Sequence, residues 1–216
     1  MYLNHTSLHK IPHHGHTLMK KNYVGIACSQ HDPAIAIVNA EGEVVYAEST
    51  ERHLQNKRTR NTFADDLIHV EKLLKKYTDK DADLVIAKTW SGKTQFSLKI
   101  IFLLLPLFKK KMIPYVYNVY YYLIESLQNV YAFSGKSLQF QRRMTNPDVK
   151  VEVNNCDHHL THAATACFTS PFEEGVCAVI DGFGESTSTS FYSYKNGKIT
   201  KLTGIKKSLQ SLGMFY

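Results

Sequence analysis

The chain has 216 residues, 44% of them hydrophobic and 21% charged, with 26 basic and 19 acidic side chains for a net charge of +7. That is enough apolar chain for a globular core of one domain or two small ones, and it excludes a disordered, collagen-like or coiled-coil protein. The basic residues are scattered apart from Lys57/Arg58/Arg60 and Lys109 to Lys111, so nucleic acid is not the expected partner.

Residues 1–18 carry five of the 11 histidines with Pro12 and Gly15, and they read as a disordered leader without a secretory apolar core. Residues 19–150 form the first expected unit. From Tyr23 the order is strand (Tyr23 to Cys28), a polar turn at Gln30-His31-Asp32, strand (Ala34 to Asn39), an Ala40-Glu41-Gly42 turn and strand (Glu43 to Ala47). Asp65 to Tyr77 spaces Leu67, Val70, Leu73 and Leu74 as a helix does, and Asp83 to Ala87 is a buried-strand candidate, so α/β alternation is expected. A helical insertion is expected at about 95–145, including a tyrosine-rich stretch from Tyr115 to Tyr122. The longest apolar run, Ile100 to Phe108, contains Pro106 and is well short of the ~18 to 20 residues that span a bilayer, so the expected location is the cytoplasm.

The meander pattern then returns within residues 151–216. Val176 to Ile180 is a strand, Asp181-Gly182-Phe183-Gly184 a turn, Thr187 to Tyr194 an alternating strand, Asn196-Gly197 a hairpin turn and Lys198 to Leu202 a further strand. Two such turns facing one another can hold a nucleotide's phosphates through backbone N–H groups, an arrangement found in actin-like ATPases and sugar kinases. Cys28, Cys156, Cys167 and Cys177 form no C-x-x-C pair and read as reduced thiols.

The chemistry concentrates in Asp157-His158-His159-Leu160-Thr161-His162. His158 and His162 are four apart, hence on one helical face, where a single ion can accept both imidazoles. Asp181, at a strand end, could complete a His/His/Asp site for iron or zinc, with a further ligand expected outside this chain. His159 points away from that face and is read as a hydrogen-bonding group rather than a ligand. The glycines of Asp181-Gly182-Phe183-Gly184-Glu185 would let a phosphate approach the backbone, although a plain hairpin turn gives the same pattern. Gly92-Lys93-Thr94 is not a P-loop, because Ala87 stands where the first glycine is required. His31-Asp32, Glu51-Arg52 and Lys57 are polar groups suited to an anionic substrate or, equally, to solvated turns and helix caps.

The continuous block DHHLTHAATACFTSPFEEGVCAVIDGFGES resembles the HHxxHAA, apolar strand and DGxGE pattern of the NodU/CmcH-type O-carbamoyltransferases, and SLGMFY looks like the start of their next motif. The resemblance runs from about Tyr23 to Tyr216 and implies an α/β, actin-like ATPase (ASKHA, Kae1-like) fold, comprising the first lobe and the beginning of the second. It further implies a fragment of an enzyme that uses ATP and carbamoyl phosphate to make carbamoyl-adenylate in a C-terminal YrdC-like domain and then carbamoylates a small-molecule hydroxyl. Carried over by position, His158, His162 and Asp181 look like ligands of Fe2+ or another divalent metal. Gly182, Phe183, Gly184 and Glu185 look like part of the nucleotide-phosphate loop. His31 matches the family's H-D turn and is the candidate general base; Lys57 resembles the lysine that contacts the carbamoyl donor. Thr50, Gln55, Arg58 and Pro33 depart from the family's pattern around these last two. A tRNA threonylcarbamoyltransferase-like protein and a noncatalytic nucleotide- or metal-binding fragment are the alternatives, and a homo-oligomer is compatible with the sequence.

Overall fold

The computed structural model describes residues 20–27, 32–57, 59, 62–90, 107, 111, 114–115, 133–182, 184–206 and 211–215. His31 and Phe183 lie outside the described residues, as do the leader and most of the expected helical insertion before residue 133.

Both meanders expected from the sequence are present. In the first, β1 (Lys21–Ala27), β2 (Ala34–Val38) and β3 (Val44–Ser49) pair antiparallel, and β4 (Asp83–Thr89) and β5 (Val151–Cys156) extend the sheet in parallel, in the order β3-β2-β1-β4-β5. Alternation along β1 and β2 sends Val24, Ile26, Ile35 and Ile37 into the core, whereas β4 buries the continuous run Leu84, Val85 and Ile86, as a central parallel strand should. The second sheet is the antiparallel meander β6 (Glu174–Ile180), β7 (Thr187–Lys195) and β8 (Lys198–Lys206). Its Asn196-Gly197 turn has positive φ at both residues (51° and 71°), as a two-residue hairpin requires.

Helix α1 (Thr50–Leu54) follows β3 directly. Helix α2 (Leu67–Tyr77) begins where the side chain of Asp66 accepts hydrogen bonds from the Ile68 and His69 amides, and it lays Val70, Leu73 and Leu74 on the first sheet's core. Helix α3 (Lys136–Thr145) was not anticipated as a separate element. It offers the core one fully buried apolar side chain, Leu138, and is tied down by polar groups instead. Buried Arg142 donates through Nη2 to the carbonyls of Asp79 and Ala82. Asp65, 1% exposed, accepts from the Gly135 and Ser137 amides at 2.8 and 3.3 Å, capping α3 from a distance of 70 residues in sequence.

Burial pushes the Asp65 carboxyl up to about 6 from 3.8, against the backbone hydrogen bonds that favour its ionised form. Between those two pH values the folded state binds the extra proton, so Asp65 favours folding most below pH 4 and loses that contribution as pH rises through 6. Asp65→Asn removes the titration while keeping an acceptor for the two amides. We expect the stability difference between wild type and variant, measured by urea unfolding at pH 4 and pH 7, to change by on the order of 3 kcal/mol against the wild type; parallel profiles would contradict this.

Candidate metal centre

Helix α4 (His158–Thr169) leaves β5 at Asp157, whose side chain accepts from the Leu160 amide at 3.0 Å. Glu185, from the turn between β6 and β7, accepts from the His158 amide at 3.2 Å, so two carboxylates meet the helix N-terminus where the backbone dipole favours them. Helix geometry then puts His158 and His162 one turn apart, with the imidazole Nε2 atoms 3.2 Å from each other. Strand β6 ends at Ile180 and delivers Asp181, whose Oδ2 is 2.9 Å from His158 Nε2. One ligand atom from each of the three lies within 4.8 Å of the others.

These spacings suit a common ion. Ligands at about 2.1 Å from a centre stand about 3.0 Å apart along an octahedral edge and about 3.4 Å along a tetrahedral one. Two imidazole nitrogens and one carboxylate are a donor set for iron- or zinc-like cations rather than calcium. The electrostatics agree with ligation: burial and the neighbouring His158 lower the affinity of His162 for a proton, and the hydrogen bond with His158 keeps the Asp181 carboxyl below its usual range.

The neighbouring histidine does a different job, as its spacing indicated. His159 is 1% exposed; its Nδ1 lies 2.8 Å from Ser190 Oγ and 3.1 Å from Thr187 Oγ1, both on β7. Burial lowers its pKa, so the ring is kept neutral as a wedge between helix and sheet. Gly184 faces that ring so closely that a Cβ there would fall 2.3 Å from His159 Nε2. The glycine pattern thus admits an imidazole. Both glycine amides assigned to phosphate from the sequence are engaged within the turn, Gly182 N–H with Asp181 Oδ1 at 2.6 Å and Gly184 N–H with the Thr187 carbonyl at 3.0 Å.

Two contributors were not assigned to the site from the sequence, Gly213 standing in the SLGMFY block without a role and Trp90 in no motif. Trp90, directly after β4, stacks on His158 with ring centroids 5.0 Å apart and 24° between planes. Its φ of 68° is a left-handed conformation that a bulky residue adopts only when its surroundings impose it. Helix α5 (Leu212–Phe215) brings Gly213 against the Asp181–Gly182 peptide, where a Cβ would meet the Asp181 carbonyl carbon at 2.3 Å, and Ser211 Oγ donates to the Gly182 carbonyl. Trp90→Gly relieves the backbone strain and deletes the stack together. We expect it to weaken divalent-metal binding about 10-fold, as the loss of a ligand-orienting neighbour does, and to lower Tm as well, because Trp90 packs against the first-sheet core. Unchanged affinity in a metal titration would remove Trp90 from that role.

Of the remaining candidates, Lys57 is exposed beyond α1. Asp32 is tied to the segment beyond Lys57, its amide donating to the Thr59 carbonyl at 3.2 Å.

A family model described as carbamoyltransferase N-terminus matches residues 22–216. A curated protein of Synechocystis sp., described as uncharacterized, is 40% identical over 60 residues, which is 28% of this chain and 10% of that protein. Among solved structures, a ROK family protein from Streptococcus pneumoniae in complex with sucrose aligns with 87% of this chain and 50% of its own at 12% identity and a TM-score of 0.37. The Ppx/GppA family member of Aquifex aeolicus aligns with 88% of this chain and 52% of its own at 11% identity and a TM-score of 0.35. The ethanolamine utilization protein EutJ from Carboxydothermus hydrogenoformans gives 10% identity and a TM-score of 0.32, over 87% of this chain and 53% of its own. The chain therefore spans about half the length of these structures, and at such scores nothing about the site transfers from them. Among the described residues, no helix is long and apolar enough to cross a membrane.

Proposed function

The chain belongs to the carbamoyltransferase N-terminus family, and from that premise we propose that it is the acceptor-side portion of an ATP-dependent O-carbamoyltransferase. ATP and carbamoyl phosphate are the sources of carbamoyl-adenylate; the hydroxyl oxygen of a small molecule attacks its carbonyl carbon, the bond from that carbon to the phosphate oxygen breaks, and AMP leaves. The observation that carries this reading is the convergence of His158 Nε2, His162 Nε2 and Asp181 Oδ2 in the motif through which the chain resembles the family.

His158, His162 and Asp181 hold the divalent cation, Fe2+ or a similar ion, which when bound polarises the carbamoyl carbonyl. Trp90 covers one face of His158 and fixes the ring plane. His159, Ser190 and Thr187 hold α4 against β7, so that the ligand-bearing turn of helix and the end of β6 keep their separation. On the resemblance, His31 accepts the proton from the attacking hydroxyl and Lys57 binds the anionic donor. Gly182, Phe183, Gly184 and Glu185 flank the phosphate of the adenylate. With the amides of Gly182 and Gly184 bonded within the turn, that role requires the turn to open or the phosphate to be held by other groups.

The test is equilibrium binding of ATP and of a nonreactive carbamoyl-adenylate analogue to the full chain, with and without Fe2+. We expect the analogue to bind more tightly with metal present and that gain to vanish in His158→Ala/His162→Ala. Failure of both ligands to bind at millimolar concentration would overturn the proposal.

A further inference from the structure

A second group of metal-ligating side chains lies at the other end of the first sheet, separated from β4 by β2 and β1. Glu48 is on β3, His53 on the exposed side of α1 and His69 on α2. His69 Nε2 is 3.2 Å from Glu48 Oε2, the His53 and His69 rings are stacked with centroids 3.9 Å apart, and one ligand atom from each residue lies within 4.8 Å of the others. Glu48 and the backbone of His69 are held from behind. Tyr46 donates its hydroxyl proton to Glu48 Oε2, and the Asp66 side chain accepts from the His69 amide at 3.1 Å.

The three residues line a pocket of about 680 Å3 that reaches inward to Phe63 and Asp65. Asp65 is buried there with Oδ1 lacking a hydrogen-bond partner among the described residues. An ion bound by two imidazoles and one carboxylate keeps coordination positions for exogenous donors, and here those positions have a cavity to open into. Two stacked imidazoles beside a single carboxylate are a poor arrangement for two protons, and the exposed His53 ring needs only to turn out of the stack to share an ion with His69.

We propose that Glu48, His53 and His69 form a second divalent-cation site, of the zinc-like borderline class, at the mouth of the first-lobe pocket and independent of His158, His162 and Asp181. The proposal does not rest on the carbamoyltransferase reading.

Co2+ is a suitable probe, because its visible absorption reports imidazole ligation while its stoichiometry counts sites. To silence the leader, His5, His9, His13, His14 and His16 are changed to alanine in the full chain. The expected result is two Co2+ per chain, one lost in His53→Ala and the other in His158→Ala. His53 is exposed, so its replacement leaves the fold intact; Glu48→Gln, which keeps the side-chain volume and an acceptor for Tyr46, provides the second variant. A single Co2+ in the parent chain that His53→Ala leaves in place, or two Co2+ retained in both His53→Ala and Glu48→Gln with affinity changed less than about threefold, would overturn the proposal.

Discussion

His162→Ala and Asp181→Asn are each expected to weaken binding of a divalent transition metal by more than about 100-fold while Tm changes little. The magnitude follows from the rank of the ligands: partners that merely orient a metal-bound imidazole are worth about 10- to 100-fold, so a direct ligand is worth more. The insensitivity of the fold follows from where the side chains sit. His162 is exposed on α4, and the hydrogen bond from the Gly182 amide to Asp181 Oδ1 survives replacement by asparagine. A metal titration of the leader-substituted chain, carried out in a His53→Ala background so that one site is read, gives the comparison. Affinity within about threefold of the parent for both variants would exclude a shared ion.

Gly184→Ala has the opposite signature, a large loss of stability. The new methyl carbon would lie 2.3 to 2.7 Å from three atoms of the His159 ring, and that ring is buried and hydrogen-bonded. To make room, His159 must give up its contacts with Ser190 and Thr187 or α4 must move off β7. Overpacking of this kind costs about 1–3 kcal/mol, and a buried imidazole left without its partners adds about 1–3 more. Loss of metal affinity should accompany the drop in Tm, because α4 carries two of the ligands. Pairing the change with His159→Ala creates the space again and should recover part of the stability. A Gly184→Ala protein as stable as the parent would show that the glycine is there for some other reason.

Short-range rules made much of this architecture readable. The two meanders follow from period-two alternation broken by Glu41-Gly42 and Asn196-Gly197, signals that need no knowledge of the rest of the chain. The pairing of His158 with His162 was equally accessible, since four-residue spacing on a helix fixes proximity. By contrast β5 was missed: it pairs with β4 alone among the described residues, and its exposed Asn154 and Asn155 give it no apolar pattern. Helix α3 was expected only as part of the helical insertion at about 95–145, without bounds of its own, because its attachment rests on Arg142 and on the remote carboxylate of Asp65. Trp90 and Gly213 reach the site only through tertiary contacts between β4, α4 and the segment after β8, so no local pattern places them there, even though Gly213 stands in the SLGMFY block. For Gly184 the pattern was visible but ambiguous, because absence of a side chain suits a close-packed imidazole as well as a phosphate.

Crystals of the chain soaked with Fe2+ under anaerobic conditions, with diffraction recorded across the iron edge, would locate the ion directly. An anomalous peak is expected about 2.0–2.3 Å from His158 Nε2, His162 Nε2 and one Asp181 carboxylate oxygen together. Iron seated elsewhere, or bound by one of these side chains while the other two remain hydrogen-bonded to protein, would contradict it.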